Sequence, residues 1–457
     1  RLFHSLLLRE ELEMPFSVAL ISFPVMDIAS IDGQLRPIGM DLFRECPPLS
    51  IYWLPSTLRA ADLDVVPIDL IAPGTLLKSS DLDRIAECDL IGISATSMSW
   101  PAAQDGIKKI RARFPNRPIV AGGPHPSLFD EYLLRRGYVD FVIRGEAELY
   151  LIALCRALES GVELSEVPSL SWLNKEREFV RNPQGVRLTR SQLSALPPPD
   201  YSALPEGIYQ GLSLESSRGC PYDCAFCSTN YRTTYRPHEA SAFVDAAVYI
   251  LPHVSKTRLQ MIHIVDDEFS MNQRRAIQIA DALYSRNFPV RFCYDSRAND
   301  LLNEELVEKM GPHTYEFLVG AECGYEEGLR RIGKGTTLNA LENAARNLLK
   351  HGYSERAHFS FILGFPWECR EELDKTIGFA KHLCLEYGVK VLIQWYLQIP
   401  GSNLWAEARE NGLVSPAMYD DFGFFRDNHL FFSGVRIHPN EIWEISDIIN
   451  LIKWIAK

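Results

Sequence analysis

The sequence predicts an α/β protein: a doubly wound sheet domain, a connector, six further β/α units and a small helical C-terminal region. Three observations predict it. Short apolar runs alternate with helical-period stretches over the first 160 residues. A proline cluster then interrupts the pattern, and beyond it six more strand-and-helix units follow at roughly thirty-residue intervals. The expected divisions are 14–160, 161–211, 212–405 and 406–457.

In chain order, "RLFHSLLLREELEM" carries Glu10, Glu11 and Glu13 where a signal peptide would place small residues. Met14, just before the apolar "PFSVALISF", reads as a candidate natural start. Residues 17–23, 64–71, 90–97, 118–123 and 140–145 ("SVALISF", "DVVPIDLI", "LIGISATS", "PIVAGG", "DFVIRG") read as parallel strands, with helices at 102–114 and 128–136 between them. Such a flavodoxin- or Rossmann-like sheet binds ligands beyond the carboxyl ends of its strands, which places "SATSMSW" and "GGPHPS" at a crevice. Residues 161–211 hold a hairpin pattern and then "LPPPDYSALPEG", a stiff extended linker. Strands are expected again at "LSLESS", "MIHIVDD", "RFCYDSR", "EFLVGAE", "HFSFILG" and "KVLIQWYLQ", with helices at 276–286 and 338–351. Six such units suit a partial (β/α)6 barrel of the TIM type, with chemistry at the strand carboxyl ends. The last fifty residues read as a helical tail or lid.

Composition narrows the function classes. With 46% hydrophobic and 23% charged residues the 457-residue chain is ordinary for a globular protein. A net charge of -12 argues against a phosphate-tracking nucleic-acid surface. No run of about eighteen uncharged apolar residues marks a membrane span. Seven of the ten cysteines are scattered singly, which suggests no disulfide framework and favours a reducing cytoplasm.

The other three crowd into "RGCPYDCAFC". Cys220, Cys224 and Cys227 have the spacing C-x3-C-x2-C on a loop directly after an expected strand. A structural zinc site takes four ligands, usually as two close pairs. Three thiolates can instead hold a 4Fe–4S cluster through three irons and leave the fourth open for chemistry. The bland alternative is a loop with three buried thiols.

At these residues the sequence resembles the radical S-adenosylmethionine (SAM) enzymes, with aromatic Phe226 before the third cysteine. The resemblance implies that the open iron binds SAM and that a 5′-deoxyadenosyl radical takes hydrogen from substrate. "SFILGFPWE" is similar to the family's G-x-I-x-G-x-x-E strand, which lines the adenine. Ile362 and Gly364 match, Ser360 replaces a glycine, and Glu368 falls one position late. "VGAECG" resembles the strand whose acid, here Glu322, contacts SAM. "IVDDEF" and "YDSRAND" resemble neighbouring segments, which puts Asp266, Asp267 and Arg297 at the mouth. An acid ending a strand also serves as a cap or ion-pair partner. Tyr222, Tyr294, Trp367, Trp395 and Tyr396 fall near strand ends, where aromatics line a pocket or fill core. Tyr222, Trp395 and Tyr396 are the substrate candidates.

Ahead of the barrel, the stretches containing "LIGISATS", "GGPHPS" and "DFVIRGEAE" resemble the cobalamin-binding domain found in a large group of this family. The resemblance implies a corrinoid seated by Ser94, Thr96, Ser97, Gly122, Gly123, His125 and Glu146. A flavodoxin-like domain for another nucleotide is the competing explanation. The D-x-H-x-x-G motif of histidine-ligated cobalamin proteins is missing from "PVMDIASIDGQ", so His125 is expected to pack near the cofactor rather than ligate cobalt. The expected activity is a cobalamin-dependent radical SAM methyltransferase acting on an unactivated carbon of a small molecule. It would take electrons from a flavodoxin- or ferredoxin-type donor. Two alternatives stay open: cyclisation, ring contraction or oxidation without methyl transfer, and a redox-sensing iron–sulfur protein.

Overall fold

Two sheets organise the chain in a computed structural model, which describes residues 15–31, 34–39, 46–229, 234–421 and 435–455. Two compact units emerge. The first comprises residues 1–188, 196–203 and 419–422, and the second comprises 189–195, 204–418 and 423–457.

In the first unit, β1 (Ser17–Ser22), β4 (Asp64–Asp69), β5 (Leu90–Ser94), β6 (Ile119–Gly122) and β7 (Phe141–Ile143) run parallel in the order β4-β1-β5-β6-β7. Every residue of β1 is buried, as expected of a central strand covered on both faces. The order is that of flavodoxin-like sheets, whose ligands sit where the strand order reverses, here between β1 and β5. Two hairpins accompany these strands, of which the second was expected. A hairpin of β2 (Met26–Ile31) and β3 (Gln34–Gly39) follows β1, where the sequence reading assigns no element. A second hairpin, β8 (Leu170–Leu173) and β9 (Phe179–Arg181), adds antiparallel to β7.

The segment expected as a connector is therefore divided. Its hairpin extends the first sheet, where Asp130 accepts from Ser171 Oγ at 2.6 Å and from Arg181 Nε at 2.9 Å. Residues 196–203 of the proline-rich stretch belong to the same unit, and its remainder belongs to the second. Tyr201 is fully buried against Tyr52, with ring centroids 5.1 Å apart, and Asp200 N donates to Tyr52 O at 2.8 Å. Apolar anchoring replaces the free-standing spacer that prolines alone suggest.

In the second unit β10 (Gly211–Leu214), β13 (Met261–Ile264), β14 (Phe292–Ser296), β15 (Thr314–Glu322), β16 (Ala357–Leu363) and β17 (Lys390–Trp395) form one parallel sheet in chain order. Among the described residues no pairing joins β10 to β17, so the sheet is that of a partial barrel. A small antiparallel pair, β11 (Ser217–Arg218) and β12 (Arg236–Pro237), sits just after β10. The helices between strands are amphipathic. In Leu338–Lys350 the buried Leu341, Ala344, Ala345 and Leu348 recur at helical spacing, and Thr337 caps the first turn by accepting from Ala340 N. The tail contributes helices Asn403–Glu410 and Pro439–Ile455. Among the described residues no helix is long and apolar enough to cross a membrane.

Candidate active site

The three cysteines leave β10 on a loop gripped from behind by two acids. Asp266 accepts from the backbone N and the hydroxyl of both Ser216 and Ser217, at 2.5–2.9 Å, and Arg275 Nη2 donates to Ser216 O at 2.7 Å. Asp267 accepts from Gly219 N at 3.0 Å, where a φ of +88° turns the chain into Cys220. Ala225 N donates to Ile332 O, and Leu404 N donates to Ala225 O. Asp266 and Asp267 thus hold the loop's shape. Phe226 lies 6.0 Å from Phe365, centroid to centroid.

Burial pushes the Cys220 thiol up to about 11, so a thiolate there needs a positive neighbour. Among the described residues no three His, Cys, Asp or Glu side chains converge as a single metal ion requires.

Arg297 supplies the decisive fit. It is 4% exposed, and its Nη1 lies 3.9 Å from Cys224 Sγ. The guanidinium stacks 3.7 Å above the Tyr222 ring. Nε and Nη2 are buried with no partner among the described residues. Two buried donors beside the cysteine loop are thus left for an acceptor, and an anion is the acceptor a guanidinium pairs with best. Gly335 lies beside Nη2 at φ +66°, a left-handed conformation that favours glycine.

Glu322 ends β15 at φ +64°, at a register irregularity against β16, and its Oε1 accepts from the buried Lys334 Nζ at 2.8 Å. A Cβ on Gly320 would meet both charged atoms at 2.5 Å, so only glycine leaves room for the pair. Burial alone would lower the Lys334 ammonium, but the Glu322 carboxylate overrides it and raises it. Lys334 and Glu268 escape the sequence reading. Lys334 stands between Gly333 and Gly335, both at positive φ.

Glu268 is pushed up to about 8, by burial and then by the charge of Asp300. The Ser270 hydroxyl lies 2.8 Å from Glu268 Oε1 and 3.0 Å from Asp300 Oδ2. One hydroxyl proton serves only one of them, so the other contact calls for a protonated acid. A carboxyl raised on folding favours the folded state most below its ordinary value of 4.5, and that contribution is lost as pH climbs through about 8. Stability of the cofactor-free protein is expected to fall across this window. Glu268→Gln should flatten the fall in urea midpoints taken from pH 5 to 8.

On β16, Ile362 is buried and Gly364 takes φ +88°. Glu368 is fully buried and serves the turn. Its Oε2 accepts from Gly364 N (2.7 Å) and Phe365 N (3.0 Å), and its Oε1 accepts from Tyr325 O–H (2.8 Å). Burial pushes Glu368 up to about 7. Of the substrate candidates, Tyr222 lies under Arg297, while Tyr396 is buried 5.3 Å from Phe365 and Trp395 Nε1 donates to Ser446 Oγ at 3.0 Å. Tyr294 is core, its hydroxyl on Thr314.

In the first unit Ser94 and Gly122 are register partners at the carboxyl ends of β5 and β6. Gly123 takes φ +96°, and a Cβ there would stand 2.9 Å from Ala95 O. Small residues thus let the two loops pack closely and leave the strand ends uncrowded, as a broad planar ligand requires. Gly123→Ala is expected to cost about 1–3 kcal/mol in urea unfolding of this unit. Thr96 remains exposed, its N–H on Ser99 Oγ. Ser97 and His125 are buried together, Oγ to Nδ1 at 3.0 Å. Burial holds His125 down at about 3, so it is neutral, stacked on Trp100 and against Phe129. Glu146 accepts from Leu188 N at 2.9 Å.

A model of the Radical SAM superfamily matches residues 214–380, and one of the B12 binding domain matches 36–154. An uncharacterized methyltransferase of Pyrococcus horikoshii is 33% identical over 383 residues, covering 80% of this chain and 80% of its own. The chain belongs to the cobalamin-dependent radical SAM enzymes. Two solved members share the fold. The methyltransferase TsrM of Kitasatospora setae, with cobalamin and a [4Fe-4S] cluster bound, superposes with a TM-score of 0.68 at 18% identity, over 87% of this chain and 78% of that one. OxsB, with aqua-cobalamin and SAM bound, superposes with a TM-score of 0.67 at 22% identity. The match covers 82% of this chain but about half, 52%, of OxsB. This radical SAM enzyme uses a 4Fe–4S cluster, SAM and cobalamin, and its kin include methyltransferases.

Proposed function

We propose that the enzyme transfers a methyl group to an unactivated carbon of a small biosynthetic substrate. When bound, the cluster and SAM supply a 5′-deoxyadenosyl radical that takes hydrogen from the substrate, and cobalamin supplies the methyl group. Cys220, Cys224 and Cys227 would hold the cluster. Arg297 would orient the SAM carboxylate, the Lys334–Glu322 pair would present charge beside it, and Ile362 would line the adenine. Ser94, Thr96, Gly122 and Gly123 would seat the corrinoid, with Ser97 and His125 supporting the loop from within. Three thiolates suit the reducing cytoplasm, and a one-electron carrier of the flavodoxin or ferredoxin type would deliver the electrons.

The observation that carries the radical chemistry is the Arg297 guanidinium beside Cys224, whose Nε and Nη2 are buried without partners among the described residues. Kinship with a methyltransferase over 80% of both chains supports methyl transfer. The test is anaerobic turnover with methyl-deuterated SAM and candidate substrates, read by mass spectrometry. Labelled methyl in product, with both 5′-deoxyadenosine and S-adenosylhomocysteine formed, is the expected result. A rearranged, unlabelled product with 5′-deoxyadenosine alone would move the activity to cyclisation or oxidation. Neither nucleoside under any condition would leave a redox sensor.

A further inference from the structure

Residues 419–422 belong to the first unit, although the chain on both sides of them belongs to the second. Tyr419 and Asp420 end a short helical turn, Pro416–Asp420, and Asp420 meets three donors of the first unit. Trp100 Nε1 donates to Asp420 Oδ1 at 2.8 Å, and the Tyr132 and Tyr138 hydroxyls donate to Oδ2 at 2.7 and 3.3 Å. Gln104 Nε2 donates to the Tyr138 hydroxyl at 2.7 Å, and Lys108 Nζ to Gln104 Oε1 at 2.9 Å. The neighbouring Tyr419 is fully buried, stacked on Phe129 at 5.7 Å and edge-on to His125 at 6.2 Å.

The residues this carboxylate grips lead directly to the two loops at the strand carboxyl ends. Trp100 opens the helix Trp100–Arg113 just after the β5 loop. Its indole stacks on the His125 ring at 4.7 Å and 18°, and His125 Nδ1 meets Ser97 Oγ in that loop. A continuous line therefore runs Asp420–Trp100–His125–Ser97. Each link is short, buried or partly buried, and directional, so displacing the first member frees the last.

We propose that Asp420 is a positioning residue for the corrinoid, holding the β5 and β6 loops in their binding-competent arrangement from a distant part of the chain. The proposal rests on cobalamin binding by the first unit. Asp420 does not touch the cofactor: it sets the fraction of molecules whose loops are ready, and apparent affinity falls in proportion to that fraction.

The test uses the full chain with its cluster reconstituted anaerobically, titrated with hydroxocobalamin, and the bound cofactor read from its visible spectrum after desalting. Asp420→Ala is expected to bind about tenfold more weakly, with iron content and SAM affinity unchanged. Asp420→Asn, which keeps one acceptor oxygen, should recover part of the loss. Trp100→Phe keeps the ring against His125 but removes one donor, and should weaken binding about threefold. It also decides the matter should Asp420→Ala fail to fold. A merely structural clip would lower thermal stability and leave these affinities where they were. Wild-type affinity in both Asp420→Ala and Trp100→Phe, or in Trp100→Phe alone where Asp420→Ala does not fold, overturns the proposal. A wild-type protein that binds no cobalamin removes the reading beneath it instead.

Discussion

Lys334→Met is expected to destabilise the barrel unit by about 3–5 kcal/mol, the largest loss of any single substitution at the site. The ammonium and the Glu322 carboxylate are both nearly enclosed, with side chains 10% and 8% exposed. Removing the cation leaves an anion with no water to turn to, at the left-handed end of β15 where the backbone cannot easily shift. Loss of one hydrogen bond would account for only about 1 kcal/mol; the remainder is the uncompensated charge. The double variant Lys334→Met/Glu322→Gln should therefore be more stable than the single one, by about 2 kcal/mol. Urea midpoints of the transition that unfolds the barrel, at unchanged slope, measure both. A double variant no more stable than the single one would show that the pair is not what Lys334 maintains.

The strands were legible because parallel strands covered on both faces must be continuous apolar runs. "SVALIS" and "FVI" leave little else to be, and all eleven expected strands form. The first hairpin was harder, whereas the one at β8 and β9 was expected and forms. β2 and β3 flank Asp32-Gly33, a strong short-range hairpin signal, but neither strand has the continuous apolar run that marks the central strands. The proline-rich segment looked like a spacer because prolines stiffen a free chain, whereas burial of Tyr201 decides where it lies. In the site, the cysteines were visible through spacing alone. The partners that shape their loop were less so, because hydrogen bonds such as Asp266 to Ser216 depend on atoms fifty residues apart. Glu368 illustrates the same limit. Its position in the strand motif is readable, but whether its oxygens face a ligand or three protein donors is set by the turn at Gly364 and by Tyr325. Lys334, a lone lysine in a glycine-rich loop, reads as solvated until Glu322 is found beneath it.

Arg297→Met is expected to separate stability from function in the opposite way to Lys334→Met. The wild-type guanidinium has Nε and Nη2 buried without partners among the described residues, which carries a desolvation penalty of several kcal/mol. Against this stand the stack on Tyr222, about 1–2 kcal/mol, and a weak contact with Cys224. The penalty is the larger, so an apolar side chain of similar length should leave the cofactor-free protein as stable as wild type or more so. SAM binding should suffer, because a buried guanidinium with two free donors meeting a carboxylate forms a charge-assisted pair worth about 3 kcal/mol, roughly a hundredfold in Kd. Urea unfolding of the cofactor-free protein and equilibrium dialysis of SAM against cluster-loaded protein supply the two readings, with iron content checking that the cluster is kept. A stabilised or unchanged fold with SAM affinity down a hundredfold marks Arg297 as held in strain for its ligand. A destabilised fold that still binds SAM normally would mark it instead as a structural cation, and the anion seat beside the cysteine loop would have to be abandoned.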